Sequence, residues 1–154
     1  MSTLRVDSIR GQTADGTNRY VVQVVYGQLS AELSYSNDSN HDILSVSITP
    51  TSVNNKILLM GNFAHYLNGS TADERGDYQF KRDSTVVFQT GTSGYGYFRD
   101  DGHLKVMNNT HNFLDSPATT SAVSYTMAHR PHTYGSGGSF GATVTNLTLM
   151  EIAQ

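Results

Sequence analysis

Apolar and polar residues alternate with a period of two through most of the chain. The alternation is clearest in residues 20–26 (YVVQVVY), 41–50 (HDILSVSITP) and 78–89 (YQFKRDSTVVFQ). This period places successive side chains on opposite faces of a β-strand. No stretch of useful length has the period of a helix. About eight to ten short strands separated by turn signals therefore predict an all-β protein, either a sandwich or a barrel.

The most apolar run, residues 55–66 (NKILLMGNFAHY), departs from strict alternation. Leu58 and Met60 would lie on one face of a strand, and Leu59 and Phe63 on the other. Apolar residues on both faces are typical of a central strand that is covered on both sides. The run exceeds what one small sandwich must bury, so it predicts packing against another copy of the chain.

Polar and glycine-rich segments divide the chain. An N-terminal arm, residues 1–19, ends in the polar segment 10–19 (RGQTADGTNR). The body follows and comprises residues 20–154. Residues 67–77 are a second polar break, and residues 90–102 (TGTSGYGYFRDDG) are interpreted as a loop.

The turns and remaining strands follow from local signals. Arg82-Asp83-Ser84 indicates a hairpin. Asp115-Ser116-Pro117 indicates a turn, because proline favours an extended residue before it. Further strands are predicted in five segments: residues 29–35, two short strands near 103–107 and 111–115, residues 121–130 and residues 139–153.

Charge and composition exclude several classes of function. Ten basic and 13 acidic residues give a net charge of −3, and no segment concentrates lysine or arginine, so binding to a nucleic acid is not expected. The chain has no cysteine, which excludes disulfides, thiolate metal sites and a cysteine nucleophile. No apolar segment reaches the length of a membrane span or a signal core, so we expect a soluble protein without membrane insertion.

A hydrolytic site is the first chemical alternative. His111, Asp115, Ser116 and His129 supply the residue types of a Ser–His–Asp set. Ser116, however, has no glycine-flanked nucleophile elbow and precedes Pro117 in a turn. The scattered carboxylates would form a glycosidase pair only by tertiary geometry. We predict no catalytic residue and rank a hydrolase or depolymerase last.

Metal and cofactor sites are weakly indicated. None of the six histidines has the i, i+4 spacing of a helical zinc site, and His129 and His132 would need further ligands. The acidic turns 73–77 (DERGD) and 99–101 (RDD) lack the spacing of a calcium loop. We predict neither a metal nor a cofactor and expect the histidines to be solvated or to lie in an interface.

Aromatic and acidic residues on glycine-rich loops are the candidate contact site. Aromatic rings there offer flat amphipathic faces to a glycan or protein at small entropic cost, although they could instead anchor the loops to the sandwich. The predicted contact residues are Tyr95, Tyr97, Phe98, Asp100, Asp101, His132 and Tyr134.

The N-terminal arm is the candidate docking site. Leu4, Val6 and Ile9 alternate with polar residues. This pattern favours addition of a strand to the edge of a neighbouring protein over a terminus without partners.

Five segments resemble one family. Residues 2–11 (STLRVDSIRG) resemble the start of tail-fibre and related structural proteins of tailed bacteriophages. Residues 44–60 (LSVSITPTSVNNKILLM), 80–87 (FKRDSTVV), 113–127 (FLDSPATTSAVSYTM) and 147–152 (LTLMEI) are similar to segments of small phage virion proteins. The bodies of those proteins are jelly-roll-like β-sandwiches, related in shape to the tumour necrosis factor and complement globular domains.

The resemblance implies an antiparallel jelly-roll-like β-sandwich with an extended N-terminal arm, assembled as a homotrimer. It also implies a non-enzymatic component of the virion, assembled in the host cytoplasm and exposed on the particle. A short tail fibre or receptor-binding appendage would dock on another virion protein through its arm and contact a host-surface glycan or protein through its loops. The alternatives are a capsid decoration or baseplate appendage of the same fold, and a free lectin-like carbohydrate-binding module.

Overall fold

The computed structural model describes residues 11–12, 18–35, 39–68, 73–91, 97–99, 105–133 and 139–154. In these ranges all regular structure is β-strand, which confirms the predicted all-β class. None of these residues belongs to a helix long and apolar enough to span a bilayer. The strands are β1 (Gly11–Gln12), β2 (Asn18–Arg19), β3 (Val21–Gln28), β4 (Leu33–Tyr35), β5 (His41–Ile48), β6 (Lys56–Asn68), β7 (Asp73–Arg82), β8 (Thr85–Gln89), β9 (Tyr97–Arg99), β10 (Lys105–Asp115), β11 (Val123–Thr133), β12 (Ser139–Ala142) and β13 (Asn146–Ile152).

The first sheet is built around the long strand β6. One edge of β6 pairs with β10 along almost its whole length. The other edge pairs first with β13 and then with β12. Strand β3 lies beyond β13, and β4 lies beyond β12. The sheet is therefore four strands wide, in the order β3/β4, β13/β12, β6, β10.

The second sheet has the order β5, β11, β7, β8. Strand β9 pairs with the first residues of β7, on the edge that β8 occupies further along. A separate pair, β1 with β2, lies within residues 11–19. All of these pairings are antiparallel.

The two sheets form a jelly roll. If β3 is counted with β4, β8 with β9, and β12 with β13, the described body of the chain has eight strand positions. The first sheet holds the first, eighth, third and sixth of these, and the second sheet holds the second, seventh, fourth and fifth. This interleaving of strands between two sheets is the double Greek key of a jelly roll. The predicted jelly-roll sandwich is therefore confirmed, while the trimer and the role of the arm stay predictions.

Alternation places the core as the sequence predicts. In β6, Leu59 and Phe63 point between the sheets and are buried, whereas Leu58 and Met60 point outward and are half-buried. The inward residues of both sheets form one apolar core: Ile43, Val46, Ile48, Ile57, Leu59, Phe63, Tyr78, Phe80, Val123, Tyr125, Met127, Ala142, Leu147 and Leu149.

The structure corrects several strand predictions; the predicted strand 139–153, for example, is two strands, β12 and β13. Residues 105–115 form one strand instead of two, because Asn109 can point inward: its amide donates a hydrogen bond to the Tyr78 hydroxyl over 2.8 Å. The predicted loop 90–102 contains β9, whose backbone pairs with β7. The predicted strand 29–35 is regular only from Leu33, because the Leu29 amide turns to the carbonyl of Thr145.

Candidate functional site

Four histidines converge at one end of the sandwich, each from a different strand. His41 lies on β5, His65 on β6, His111 on β10 and His129 on β11. The ring of Tyr78, on β7, lies near the middle of the group. Its centroid is 5.2 Å from that of His129, 5.3 Å from His111 and 5.4 Å from His65. We call this region the histidine end.

Hydrogen bonds within the histidine end cross from one sheet to the other. The Tyr35 hydroxyl on β4 lies 2.7 Å from Nδ1 of His129 on β11. The Tyr78 hydroxyl on β7 lies 2.9 Å from Nε2 of His65 on β6. Buried polar groups need such partners, because leaving one unbonded costs about 1–3 kcal/mol. The network therefore fixes how the two sheets align.

Burial disfavours the charged forms of two histidines and two tyrosines at the histidine end. Burial lowers the pKa of His65 to about 4, against a weaker opposing effect of a hydrogen bond to the Phe63 backbone. Burial also lowers the pKa of His111 and raises the pKa values of Tyr35 and Tyr78. These histidines and tyrosines are therefore neutral at pH 7 and serve as donors and acceptors without charge.

The expectation of solvated or interface histidines is wrong for His65 and His129, which are only 6% and 1% exposed. His129 shares the inward face of β11 with Tyr125 and Met127. The spacing of two residues between these positions was the sequence signal for the burial of His129. Its ring also needs the glycine at position 76, where a Cβ atom would lie 2.3 Å from Nε2 of His129. A buried histidine with tyrosine partners stabilises the core without needing a ligand.

The residues of the hypothetical Ser–His–Asp set lie at different ends of the sandwich. Asp115 accepts hydrogen bonds from the Tyr125 hydroxyl at 2.6 Å and from Nη1 of Arg82 at 3.0 Å. His111 lies four residues before Asp115 on the same extended strand, roughly 13 Å away. Asp115 therefore joins β10 to β7 and β11, and the set is not assembled. Within the described ranges, no three histidine, aspartate or glutamate side chains are placed to hold a metal ion.

The end of the sandwich opposite the histidines is closed by a second buried carboxylate, Glu151. Its oxygens accept hydrogen bonds from the amides of Asn55 and Gln23, both at 2.6 Å, and from the backbone amide and hydroxyl of Thr51 at 2.7 and 2.8 Å. Burial alone would raise the pKa of Glu151, but these four donors outweigh it and lower the pKa. The chain enters the body at this end, where the Tyr20 carbonyl accepts a hydrogen bond from the amide of Ala153. We call this region the carboxylate end.

Three of the predicted contact residues lie in described strands at the histidine end. Tyr97 and Phe98 belong to β9, and His132 belongs to β11. Arg75 on β7 pairs with Tyr97 on one side and with His132 on the other. The backbone therefore places Tyr97 and His132 on the two strands that flank β7, about 10 Å apart. The other predicted contact and docking residues lie outside the described residues: Tyr95, Asp100, Asp101, Tyr134, Leu4, Val6 and Ile9.

An open cleft lies beside the histidine end, between β4 and β5, and sequence reasoning did not predict it. The cleft measures about 380 Å³ and is lined in part by Tyr35, Asn40 and Asp42. The Tyr35 ring stacks on His41 with centroids 3.8 Å apart, and Lys81 forms an ion pair with Asp42. Amide, carboxylate and aromatic groups thus line one depression, which is formed by residues within 33–42 together with Lys81 of β7.

These features define an antiparallel jelly-roll sandwich whose two sheets are joined by a buried polar cluster at each end. No protein-family model and no curated protein matches the sequence. Solved structures do match the fold, among them several of one virus. The structure of the Gt strain of infectious bursal disease virus superposes with a TM-score of 0.54 at 10% identity, over 84% of this chain and 36% of that one.

Two further matches come from the same virus. The crystal structure of its VP2 subviral particle gives a TM-score of 0.50 at 10% identity, over 83% of this chain and 32% of that one. The structure of T=1 particles derived from the virus gives 0.50 at 9% identity, over 84% and 34%. The chain therefore spans about a third of the length of each match, and at this identity the likeness is one of fold.

Proposed function

We propose that the protein is a structural component of a virus particle, and specifically a short tail fibre or receptor-binding appendage of a tailed bacteriophage. Three copies form the appendage, residues 1–19 dock it on another virion protein, and the loops at the far end contact a glycan or protein of the host surface. The jelly roll shared with viral particle structures supports the structural role. The resemblance of the sequence segments to phage virion proteins supports the finer assignment.

The separation of the two ends of the sandwich carries this proposal. The chain enters the body at Tyr20, beside Ala153, at the carboxylate end. Tyr97, Phe98 and His132 lie at the opposite, histidine end. An appendage that attaches at one end and binds at the other needs this arrangement, because docking then leaves the contact residues free.

Deletion of residues 1–10 tests the attachment role. We expect the shortened chain to fold with an unchanged unfolding midpoint and to be lost from purified particles, as measured by quantitative immunoblotting. Incorporation at the level of the full chain would contradict docking through the arm.

Substitution of Tyr97 and His132 tests the contact role. We expect Tyr97→Ala and His132→Ala to reduce adsorption of particles to host cells without reducing incorporation. Tyr20→Ala is the matched control, since Tyr20 is 42% exposed at the opposite end. Equal adsorption of all three variants would contradict a contact surface at the histidine end.

The cleft beside β4 and β5 favours a second candidate, a lectin-like carbohydrate-binding module. Asn40 and Asp42 supply the amide and carboxylate groups that hydrogen-bond to sugar hydroxyls. Glycan-array binding that Asp42→Ala abolishes, by a chain absent from particles, would favour this module. Antibody labelling of particles in electron micrographs separates a tail fibre from a capsid decoration or a baseplate appendage.

A further inference from the structure

The outer face of the first sheet carries a straight apolar row across all four of its strands. Val24 on β3 pairs with Met150 on β13, Met150 pairs with Leu58 on β6, and Leu58 pairs with Leu114 on β10. Directly paired residues of neighbouring strands share one face of a sheet. All four side chains therefore point away from the core and form a continuous stripe.

This stripe is open to solvent at both of its edges. Val24 is 53% exposed and Leu114 is 47% exposed. In the adjacent row Tyr26 is 57% exposed, and Thr148 separates it from Met60. With strands about 4.8 Å apart and rows about 7 Å apart, each residue covers roughly 34 Å², so the six apolar residues of these two rows cover roughly 200 Å². A continuous exposed apolar patch that is rimmed by polar residues is a common mark of a protein–protein contact.

Polar residues bound the stripe on one side, and a lysine stands on the other. The row beyond Tyr26 consists of Gln28, Asn146, Asn62 and Thr110. On the opposite side, Lys56 pairs with Ile152. An apolar centre with a polar rim is the usual composition of a protein–protein contact. The rim also brings the face toward the roughly 800 Å² per partner of a stable interface.

Charge favours another copy of the chain as the partner. The protein has 13 acidic residues and a net charge of −3, so two copies repel wherever acidic surfaces meet. The face described above has four rows: the stripe, the row of Tyr26, the row of Gln28 and the row of Ile152 and Lys56. None of the described residues in these rows is acidic, and Lys56 is the one charged residue among them. A face without negative charge is where like-charged copies can approach closely. Apart from Lys56, it also offers no charged groups for a partner of opposite charge to pair with.

We propose that a second copy of this chain covers the outer face of the first sheet, with Val24, Met150, Leu58 and Leu114 at the centre of the contact. The inference rests on the proposed function, which requires copies to associate, and it names the surface that joins them. In a closed cyclic assembly with this face turned to the symmetry axis, the same residues of every copy meet around the axis. Met60 and Met150 suit such a contact, because their flexible side chains fill irregular gaps.

Charged substitutions at the edges of the stripe test the proposal. Val24→Lys and Leu114→Lys place an ammonium group where the copies would meet. We expect each to raise the concentration of half-association at least about tenfold, since burying an unpaired charge costs more than 1.4 kcal/mol. Val86→Lys is the matched control, because Val86 is 44% exposed and lies on β8 in the other sheet. Light scattering and sedimentation of the full chain over a dilution series measure the association.

A cysteine readout covers the case in which a lysine variant fails to fold. The chain has no native cysteine, so Val24→Cys and Val86→Cys each introduce a single thiol. We expect a maleimide to label position 24 at least about tenfold more slowly at associating than at dissociating concentrations, because a covered thiol is inaccessible. Position 86 should be labelled equally fast at both. Equal labelling of position 24 at both concentrations would overturn the proposal.

The outcomes separate this inference from the proposed function. Association of wild type that neither Val24→Lys nor Leu114→Lys weakens would overturn the contact face and leave the assembly role intact. A monomeric wild type that still enters particles would overturn the second-copy inference and the three-copy assembly, and it would leave the role as a virion component intact. A monomer that is absent from particles would overturn both.

Discussion

The Tyr35 hydroxyl lies 2.7 Å from Nδ1 of His129 and joins β4 of the first sheet to β11 of the second. The two residues are separated by 94 positions in the sequence. His129 is only 1% exposed, so water cannot readily replace the tyrosine. A hydrogen bond in such surroundings contributes to the alignment of the sheets as well as to stability.

Removal of that hydroxyl gives the first prediction. We expect Tyr35→Phe to lower the free energy of unfolding by about 1–3 kcal/mol, because it deprives a buried ring nitrogen of this partner while keeping the aromatic ring. Urea denaturation measures the change. Tyr26→Phe is the control, since its hydroxyl bonds to Gln28 at the surface, and it should change stability by less than about 0.5 kcal/mol. Equal effects of the two variants would contradict a structural role for the Tyr35 bond.

Close packing of Gly76 against His129 gives the second prediction. A Cβ atom at position 76 would lie 2.3 Å from Nε2 of His129, whereas one at Gly91 would meet no atom within 4 Å. We expect Gly76→Ala to lower the free energy of unfolding by about 1–3 kcal/mol through overpacking. Gly91→Ala should stay within about 0.5 kcal/mol of wild type. Thermal unfolding of the pair measures the difference, and a neutral Gly76→Ala would show that the His129 ring can move aside.

Local signals in the sequence predicted those parts of the fold that local physics determines. The hairpin at Asp83 is present, with Asp83 at a φ of 53° and its side chain accepting a hydrogen bond from the Ser124 amide. Aspartate tolerates this left-handed backbone better than most residues. Strand β10 ends at Asp115, where the Asp115-Ser116-Pro117 turn is predicted.

The sites could not be predicted to the same extent, because their members come from distant strands. A histidine on an inward position is compatible with burial or with an interface until its partner is known. For His65 the partner is Tyr78, and for His129 it is Tyr35 on the opposite sheet. Strand β9 was also missed, since its pairing with residues 73–75 depends on the arrangement of the whole sheet.

The donors around Glu151 give the third prediction. A glutamine at position 151 has one side-chain oxygen that can accept hydrogen bonds. Its amide nitrogen is itself a donor and would face the donors that now bond to the carboxylate, so some of the four hydrogen bonds must be lost. We expect Glu151→Gln to lower the free energy of unfolding at pH 7 by about 2–3 kcal/mol. Chemical denaturation at pH 7 and pH 3.5 measures the effect.

The effect of Glu151 should depend on pH. The lowered pKa of Glu151 stabilises the fold at pH values above the ordinary glutamate pKa, and this contribution to the free energy of unfolding is lost as the pH falls through the lowered pKa. The difference between wild type and variant should therefore shrink at pH 3.5; an unchanged difference would contradict a charged Glu151.

The buried histidines give the fourth prediction, a loss of stability in mildly acidic solution. His65 has a pKa of about 4 in the folded protein and about 6.5 in the unfolded chain. Between these values the unfolded chain binds a proton that the folded protein does not, so stability is complete above pH 6.5 and falls as the pH approaches 4. We expect the free energy of unfolding to fall by about 2 kcal/mol between pH 8 and pH 5, since each pKa unit corresponds to about 1.4 kcal/mol.

Urea denaturation across this range measures how the free energy of unfolding changes with pH. His65→Gln cannot be protonated and should show a smaller loss, with the remainder due in part to His111, whose pKa is also lowered by burial. Equal slopes for wild type and His65→Gln would place the acid sensitivity elsewhere, because only a group that titrates differently in the folded and unfolded states links pH to folding.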